Sequence, residues 1–207
     1  MPETPRITKT ILLGSFCLLL MSTSLLQAQK VEISPFYGYR FGGDFQDAFT
    51  GAEYGIKDAP AYGLFVDLIP AGPDMKIELL WSRQDTSLDV DGGNGMNDLD
   101  LTIDEFQVGG IAEKGDKRLR GYVSAHVGAT HFSTDGYGSD TRFSLGVGGG
   151  AKYFLTRNIV LRADLRGFCT VVEAESGFIY SNGATLVVFS GSALWQGQAS
   201  IGVGIAF

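Results

Sequence analysis

The sequence predicts an all-β protein, an eight-stranded antiparallel up-and-down transmembrane β-barrel. Three observations predict it. Apolar and polar residues alternate with period two through eight segments, the pattern of strands with one greasy and one polar face. The connections between them alternate between tight turns and longer loops, the arrangement of an outer-membrane-type barrel with short turns on one end. The polar parity carries many glycines, while aromatics gather at the ends of the apolar parity. Small residues suit the narrow interior of an eight-stranded cylinder, and aromatics at both ends of an apolar band suit the two membrane interfaces.

Composition sets the outer limits. The chain has 207 residues, 44% hydrophobic and 19% charged, with 29 glycines. That apolar content excludes a disordered chain. A formal net charge of −7 lacks the basic footprint of a nucleic-acid binder. Past the N-terminus, no stretch reaches the ~18 apolar residues of a spanning helix. Residues 1–28 read as a secretory signal peptide: Arg6 and Lys9 lead an apolar run from Ile11 to Met21, and Ala28 supplies a small residue for cleavage. Cys17 falls inside that run, which leaves Cys169 alone in the rest of the chain, with no disulfide partner and no metal-ligand spacing. Residues 29–207 are then one barrel domain.

The strands follow in order. Val31, Ile33, Pro35, Tyr37, Tyr39 and Phe41 share one parity, against Glu32, Ser34, Gly38 and Arg40. Tyr62, Leu64, Val66 and Leu68 oppose Ala61, Gly63 and Asp67; Met75, Ile77, Leu79 and Trp81 oppose Lys76, Glu78 and Ser82. In residues 99–112 the parity slips between Ile103 and Phe106, which suggests a bulge. Residues 118–132 set Leu119, Val123, Ala125 and Val127 against Arg118, Arg120, Tyr122, Ser124 and His126. Residues 141–154 and 159–172 repeat the pattern, and the last strand puts Ile201, Val203, Ile205 and Phe207 against Gly202 and Gly204. Tight turns are expected around Pro70–Asp74, Glu113–Lys117 and Thr156–Asn158. Longer loops are expected at 43–58, 85–98, 133–140 and 173–192. Tyr39, Phe41, Tyr62, Trp81, Phe143 and Trp195 then lie toward the long-loop end, and Tyr153 and Phe207 toward the short-turn end.

The run from Phe143 to Arg166, FSLGVGGGAKYFLTRNIVLRADLR, and the opening Ser34-Pro-Phe-Tyr-Gly-Tyr-Arg-Phe-Gly-Gly43 resemble the small outer-membrane β-barrel family, the OmpA/OmpX-like group. The resemblance covers essentially the whole chain after the leader. It implies a place in the outer membrane of a Gram-negative-type bacterium, among outer-membrane lipids and lipopolysaccharide. It also implies delivery by periplasmic chaperones and insertion by the barrel assembly machinery, which reads a C-terminal aromatic such as Phe207. No peptidoglycan-binding domain is expected after the barrel. The family's activities differ, and the expected role is non-catalytic, structural or surface-interacting through extracellular loops whose partner is unknown.

Three groups of residues bear on chemistry. The inward parity carries Arg40, Lys76, Arg118, Arg120, Lys152, Arg162 and Arg166 with Glu32, Asp67, Glu78, Glu105 and Asp164. Charges in a narrow interior must pair, so a plug of ion pairs is expected, centred on Glu78, Arg120, Arg162, Asp164 and Arg166. A narrow channel is the alternative. His131 and Ser133 resemble the His-x-Ser element of outer-membrane lipid A deacylases, and a lipid A-modifying hydrolase is a second alternative. The family's following Asn is replaced here by Thr134, and no orienting Glu stands at matching spacing. The acidic segment Asp85 to Asp100 does not fit a calcium loop, since Gly93 stands where a third ligand belongs. No cofactor motif is present: the Gly148–Gly150 run precedes a strand rather than a helix.

Overall fold

A computed structural model describes residues 30–46, 53–69, 74–89, 99–134, 138–171, 180–181, 184–185 and 193–207. The expected leader, residues 1–28, lies outside them. The strands are β1 (Lys30–Phe41), β2 (Asp44–Gln46), β3 (Glu53–Ile56), β4 (Ala59–Ile69), β5 (Met75–Asp89), β6 (Leu99–Gly115), β7 (Leu119–Thr134), β8 (Gly138–Phe154), β9 (Ile159–Val171), β10 (Tyr180–Ser181), β11 (Ala184–Thr185) and β12 (Ala193–Ala206). No helix occurs among the described residues. Eight long strands, β1, β4 to β9 and β12, each pair with their chain neighbours, and β1 pairs with β12 to close the cylinder. The seam is in register from Glu32 opposite Ala206 to Phe41 opposite Gly197, and Phe207 N donates to Val31 O at 2.8 Å.

The alternation of the sequence becomes the two faces of the wall. The even-numbered residues of β1 and β5 point inward, so Glu32, Arg40, Lys76 and Glu78 are buried while Tyr37, Ile77 and Leu79 are exposed. From Phe143 to Tyr153 every second residue of β8 lies on the outer face and none is charged. Ten steps of about 3.3 Å, inclined about 40°, span roughly 25 Å, the height of a membrane barrel's apolar band. The inward glycines make room for large side chains. A Cβ on Gly63 would strike the Phe36 ring, one on Gly109 would strike His126, and one on Gly150 would strike Tyr122.

Four expectations are corrected. First, β6 carries no bulge at Ile103–Phe106: its residues pair one to one with β5 and β7 throughout. Ile103 points inward and is fully buried. The apolar residues change face there because the interior near the long-loop mouth is itself partly apolar, with Phe132 and Leu194 also buried. Second, β6 runs on to Gly115, so Glu113 is a buried strand residue rather than part of a turn. Third, the turn is 116–118, which places Arg118 in it, exposed and not inside the barrel. Fourth, β7 and β8 continue past the apolar band, pairing Ser133 with Ser139 and Thr134 with Gly138, so only 135–137 connect them. Backbone pairing costs nothing extra in water, and it extends this hairpin beyond the membrane. β5 likewise reaches Asp89.

The tight connections, 116–118 and 155–158 with 70–74, share an end with Val31 and Phe207. Connections 42–58, 90–98 and 172–192 share the other end. By the rule for these barrels, the tight turns face the periplasm and the longer loops face outward.

Candidate functional site

The interior is the site. Among the described residues, five buried cations (Arg40, Lys76, Lys152, Arg162 and Arg166) share it with six buried carboxylates: Glu32, Asp67, Glu78, Glu105, Glu113 and Asp164. An isolated charge could not stay ionised here, so each must find a partner. They form three storeys.

The middle storey gathers around Glu78 on β5. Its Oε2 accepts from Arg162 Nη2 at 2.5 Å, and its Oε1 accepts from Arg166 Nη2 at 2.7 Å. Asp164 Oδ2, between the two arginines on β9, lies 3.2 Å from Arg162 Nη2 and 3.1 Å from Arg166 Nη2. The i, i+2 spacing of Arg162, Asp164 and Arg166 puts all three on one face of one strand. His126 Nε2 lies 3.0 Å from Glu78 Oε1, and its Nδ1 lies 3.1 Å from Arg166 Nη1. A guanidinium only donates, so Nδ1 accepts, which places the proton of the neutral ring on Nε2, beside Glu78. Tyr122 OH donates to Asp164 Oδ2 at 2.6 Å and accepts from Arg162 Nε at 2.9 Å.

Below, toward the short turns, Lys152 pairs with Asp67, with Glu32 Oε1 at 2.8 Å and with Glu113 Oε1 at 2.9 Å. Lys76 joins Glu113 Oε1 at 2.8 Å and Glu32 Oε2 at 3.3 Å. Above, Arg40 Nη2 donates to Ser82 Oγ at 2.7 Å and to Gln198 Oε1 at 2.9 Å. Glu105 accepts from Thr130 Oγ1 at 2.8 Å and Ser144 Oγ at 3.1 Å. Aromatics cap the arginines: Arg162 Cζ stands 3.7 Å from the Phe65 ring centroid, and Arg40 Cζ stands 4.7 Å from that of Phe168. Phe36, Phe65, Leu80 and Phe168 form a buried apolar cluster beside them.

Of the five residues expected at the centre, the structure brings together Glu78, Arg162, Asp164 and Arg166. Arg120 stands apart, at the short-turn rim. It is partly exposed, 3.5 Å from Glu113 Oε2 and 6.0 Å from the Phe154 ring centroid. His126 occupies the central position instead, with Tyr122 as bridge. Both stood on the inward parity in the sequence, which was the available signal. Glu113 was hidden by the misplaced turn, and Phe36, Phe65 and Phe168 by the expectation of an all-polar interior.

On the outer face, Tyr39, Phe41, Tyr62, Phe143, Tyr153 and Trp195 are exposed and Trp81 is half-exposed. Three direct polar tips toward the long-loop end: Trp81 Nε1 donates to Asp104 Oδ1 at 3.0 Å, Tyr62 OH to Asp85 Oδ2 at 3.3 Å and Tyr39 OH to Asp58 O at 3.3 Å. Apolar body below and polar tip above is how such side chains sit at a membrane interface. Phe207 is exposed at the opposite end. His131 and Ser133 share an outward parity above the apolar band, but His131 Nδ1 is 2.8 Å from Thr141 Oγ1, on the neighbouring strand. Its Nδ1 is thus engaged by a threonine. Residues 90–98 of the acidic segment lie outside the described residues.

Comparison with known proteins agrees with this geometry. Neisserial surface protein A matches with a TM-score of 0.55 at 16% identity, over 87% of this chain and 97% of its own. The outer membrane protein OprG from Pseudomonas aeruginosa matches with a TM-score of 0.59 at 12% identity, over 87% of this chain and 96% of its own. At such identities the likeness is one of fold. No curated protein matches. The outer membrane protein beta-barrel domain family matches residues 15–207. With a closed eight-stranded wall, an apolar outer band and that match, the chain belongs to the outer membrane protein β-barrel family and resides in the outer membrane.

Proposed function

We propose that the protein is a non-catalytic outer-membrane barrel that serves as a rigid mount for its extracellular loops, which carry the interaction with an outside partner. The supporting observation is the filled interior. Two storeys of interlocked charges, a third in which neutral side chains hold Arg40 and Glu105, and a cluster of Phe36, Phe65, Leu80 and Phe168 occupy the lumen, and an eight-stranded barrel has little room beyond its side chains. Chain length is spent at the outer end, in connections 42–58, 90–98 and 172–192. These hold Asp44, Asp47, Glu53, Asp58, Asp91, Asp98, Glu173 and Glu175 against Lys57. Their acidic composition suits a cationic partner, or an anionic one bridged by divalent cations. Contact with lipopolysaccharide at the outer girdle, passage by periplasmic chaperones and insertion through the barrel assembly machinery at Phe207 belong to the same reading.

Planar-bilayer recording of the purified protein tests it. A plugged lumen gives no stepwise conductance; regular steps that change in Glu78→Ala would establish the channel instead. In parallel, mass spectrometry of lipid A from overexpressing cells should show no change. Loss of acyl chains that disappears in His131→Ala would make the protein a hydrolase.

A further inference from the structure

Two features outside the interior network share one place on the barrel. The first is a hollow of about 710 Å3 on the outer wall across β8, β9, β12 and β1. Two adjacent rows of the ladder form it. In one row, Ala151 stands opposite Ala163, Ala163 opposite Ile201 and Ile201 opposite Tyr37. In the row nearer the short turns, Tyr153 stands opposite Leu161 and Leu161 opposite Val203. The two alanines lower the floor between the larger side chains. The wall here belongs to the apolar band, so hydrocarbon rather than water meets it.

The second feature is a basic edge beside the hollow. Phe154 N donates to Arg118 O at 2.8 Å, which sets turn 116–118 against the end of β8, where turn 155–158 begins. Lys117, Arg118 and Arg157 are all exposed in these two turns, and none makes an ion pair among the described residues. Asp116 is the one acidic residue in the pair of turns, while turn 70–74 carries no basic residue at all. The positive charge of the periplasmic turns is therefore concentrated on the side where the hollow lies.

We infer that this place binds an anionic glycerophospholipid of the periplasmic leaflet, with an acyl chain in the hollow over Ala151 and Ala163 and the phosphate-bearing headgroup at Lys117, Arg118 and Arg157. The heights agree. Tyr153 lies two residues from Leu155, where the strand ends and the turn begins, so a chain lying in the hollow brings its headgroup to the level of the turns. The charge sets the preference, because basic residues at a membrane surface favour anionic over zwitterionic headgroups. This goes beyond the proposed role of the extracellular loops and does not depend on it.

The test uses the full chain as isolated from outer membranes, exchanged into a mild detergent. Phosphatidylglycerol and phosphatidylethanolamine with identical acyl chains are added in equal amounts, and retained lipid is read by native mass spectrometry. Phosphatidylglycerol is expected to be retained at least about tenfold over phosphatidylethanolamine. The charge-reversed variant Lys117→Glu/Arg118→Glu/Arg157→Glu should lose that preference. Ala163→Phe, which fills the hollow from the lipid side, should lower retention of both lipids. A shift in gel mobility on boiling confirms that each variant is folded. Equal retention of the two lipids by the unaltered protein would overturn the inference, as would a preference that survives charge reversal. So would Ala163→Phe with unchanged retention, or a second copy of the chain in place of lipid, seen as a dimer that Ala163→Phe dissolves.

Discussion

Val147 is 61% exposed, midway along β8 and on its outer face. A guanidinium there would stand in hydrocarbon, and Val147→Arg is expected to destabilise the folded barrel by about 2–4 kcal/mol if the site is at mid-membrane. Equilibrium unfolding from lipid vesicles by urea measures it. Glu78 shows the same physics from the inside. It accepts from Arg162 and Arg166 and lies 3.0 Å from His126 Nε2. Glu78→Ala leaves two buried guanidiniums short of a counter-charge, which costs about 3–5 kcal/mol. The same unfolding series reads that loss, and Glu78→Gln should recover part of it by keeping an acceptor. The identity of Glu78's partners was only partly legible in the sequence. Parity told which residues point inward. Height along the barrel axis, set by the stagger between strands, decided which of them meet. Arg120 and Arg166 share the inward parity, yet one sits at the rim and the other at the centre.

Strands were the most legible elements, because a half-buried wall imposes a period of two wherever one face meets hydrocarbon. The pattern failed where that constraint ends. Ile103 turns inward near the mouth, where the interior accepts apolar side chains. Ser133, Thr134 and Ser139, with Gly138, belong to paired strands beyond the apolar band, and composition alone reads them as loop. The glycines of the inner face were legible as a class but not in their partners. Gly63 on β4 faces Phe36 and the backbone oxygen of Trp81, where any Cβ would collide. Gly63→Ala should therefore destabilise by about 1–3 kcal/mol, although alanine is the better strand former. Combining it with Phe36→Ala relieves only the ring contact, so the double variant should stay below the unaltered barrel in the same unfolding assay.

For the whole molecule, eight strands paired in a ring leave no free edge in the membrane. Such a network resists detergent until heat opens it, so the folded form should run differently from the boiled form on a gel. Identical mobility would be incompatible with the ring. Fold and membrane address were legible because lipid acts on every strand at once. The use of the outer end was not, because loops in water carry no comparable periodic constraint.

The seam between β1 and β12 has a consequence for how the protein comes to exist. Those two strands lie at opposite extremes of the domain's sequence, and each is the other's lateral neighbour. Until β12 arrives, the growing sheet would offer β1 a row of bare amides and no companion, a state that oil does not tolerate. Completion of the cylinder is therefore all-or-none with respect to the polypeptide: the first strand gains its second neighbour only when the last one is in place.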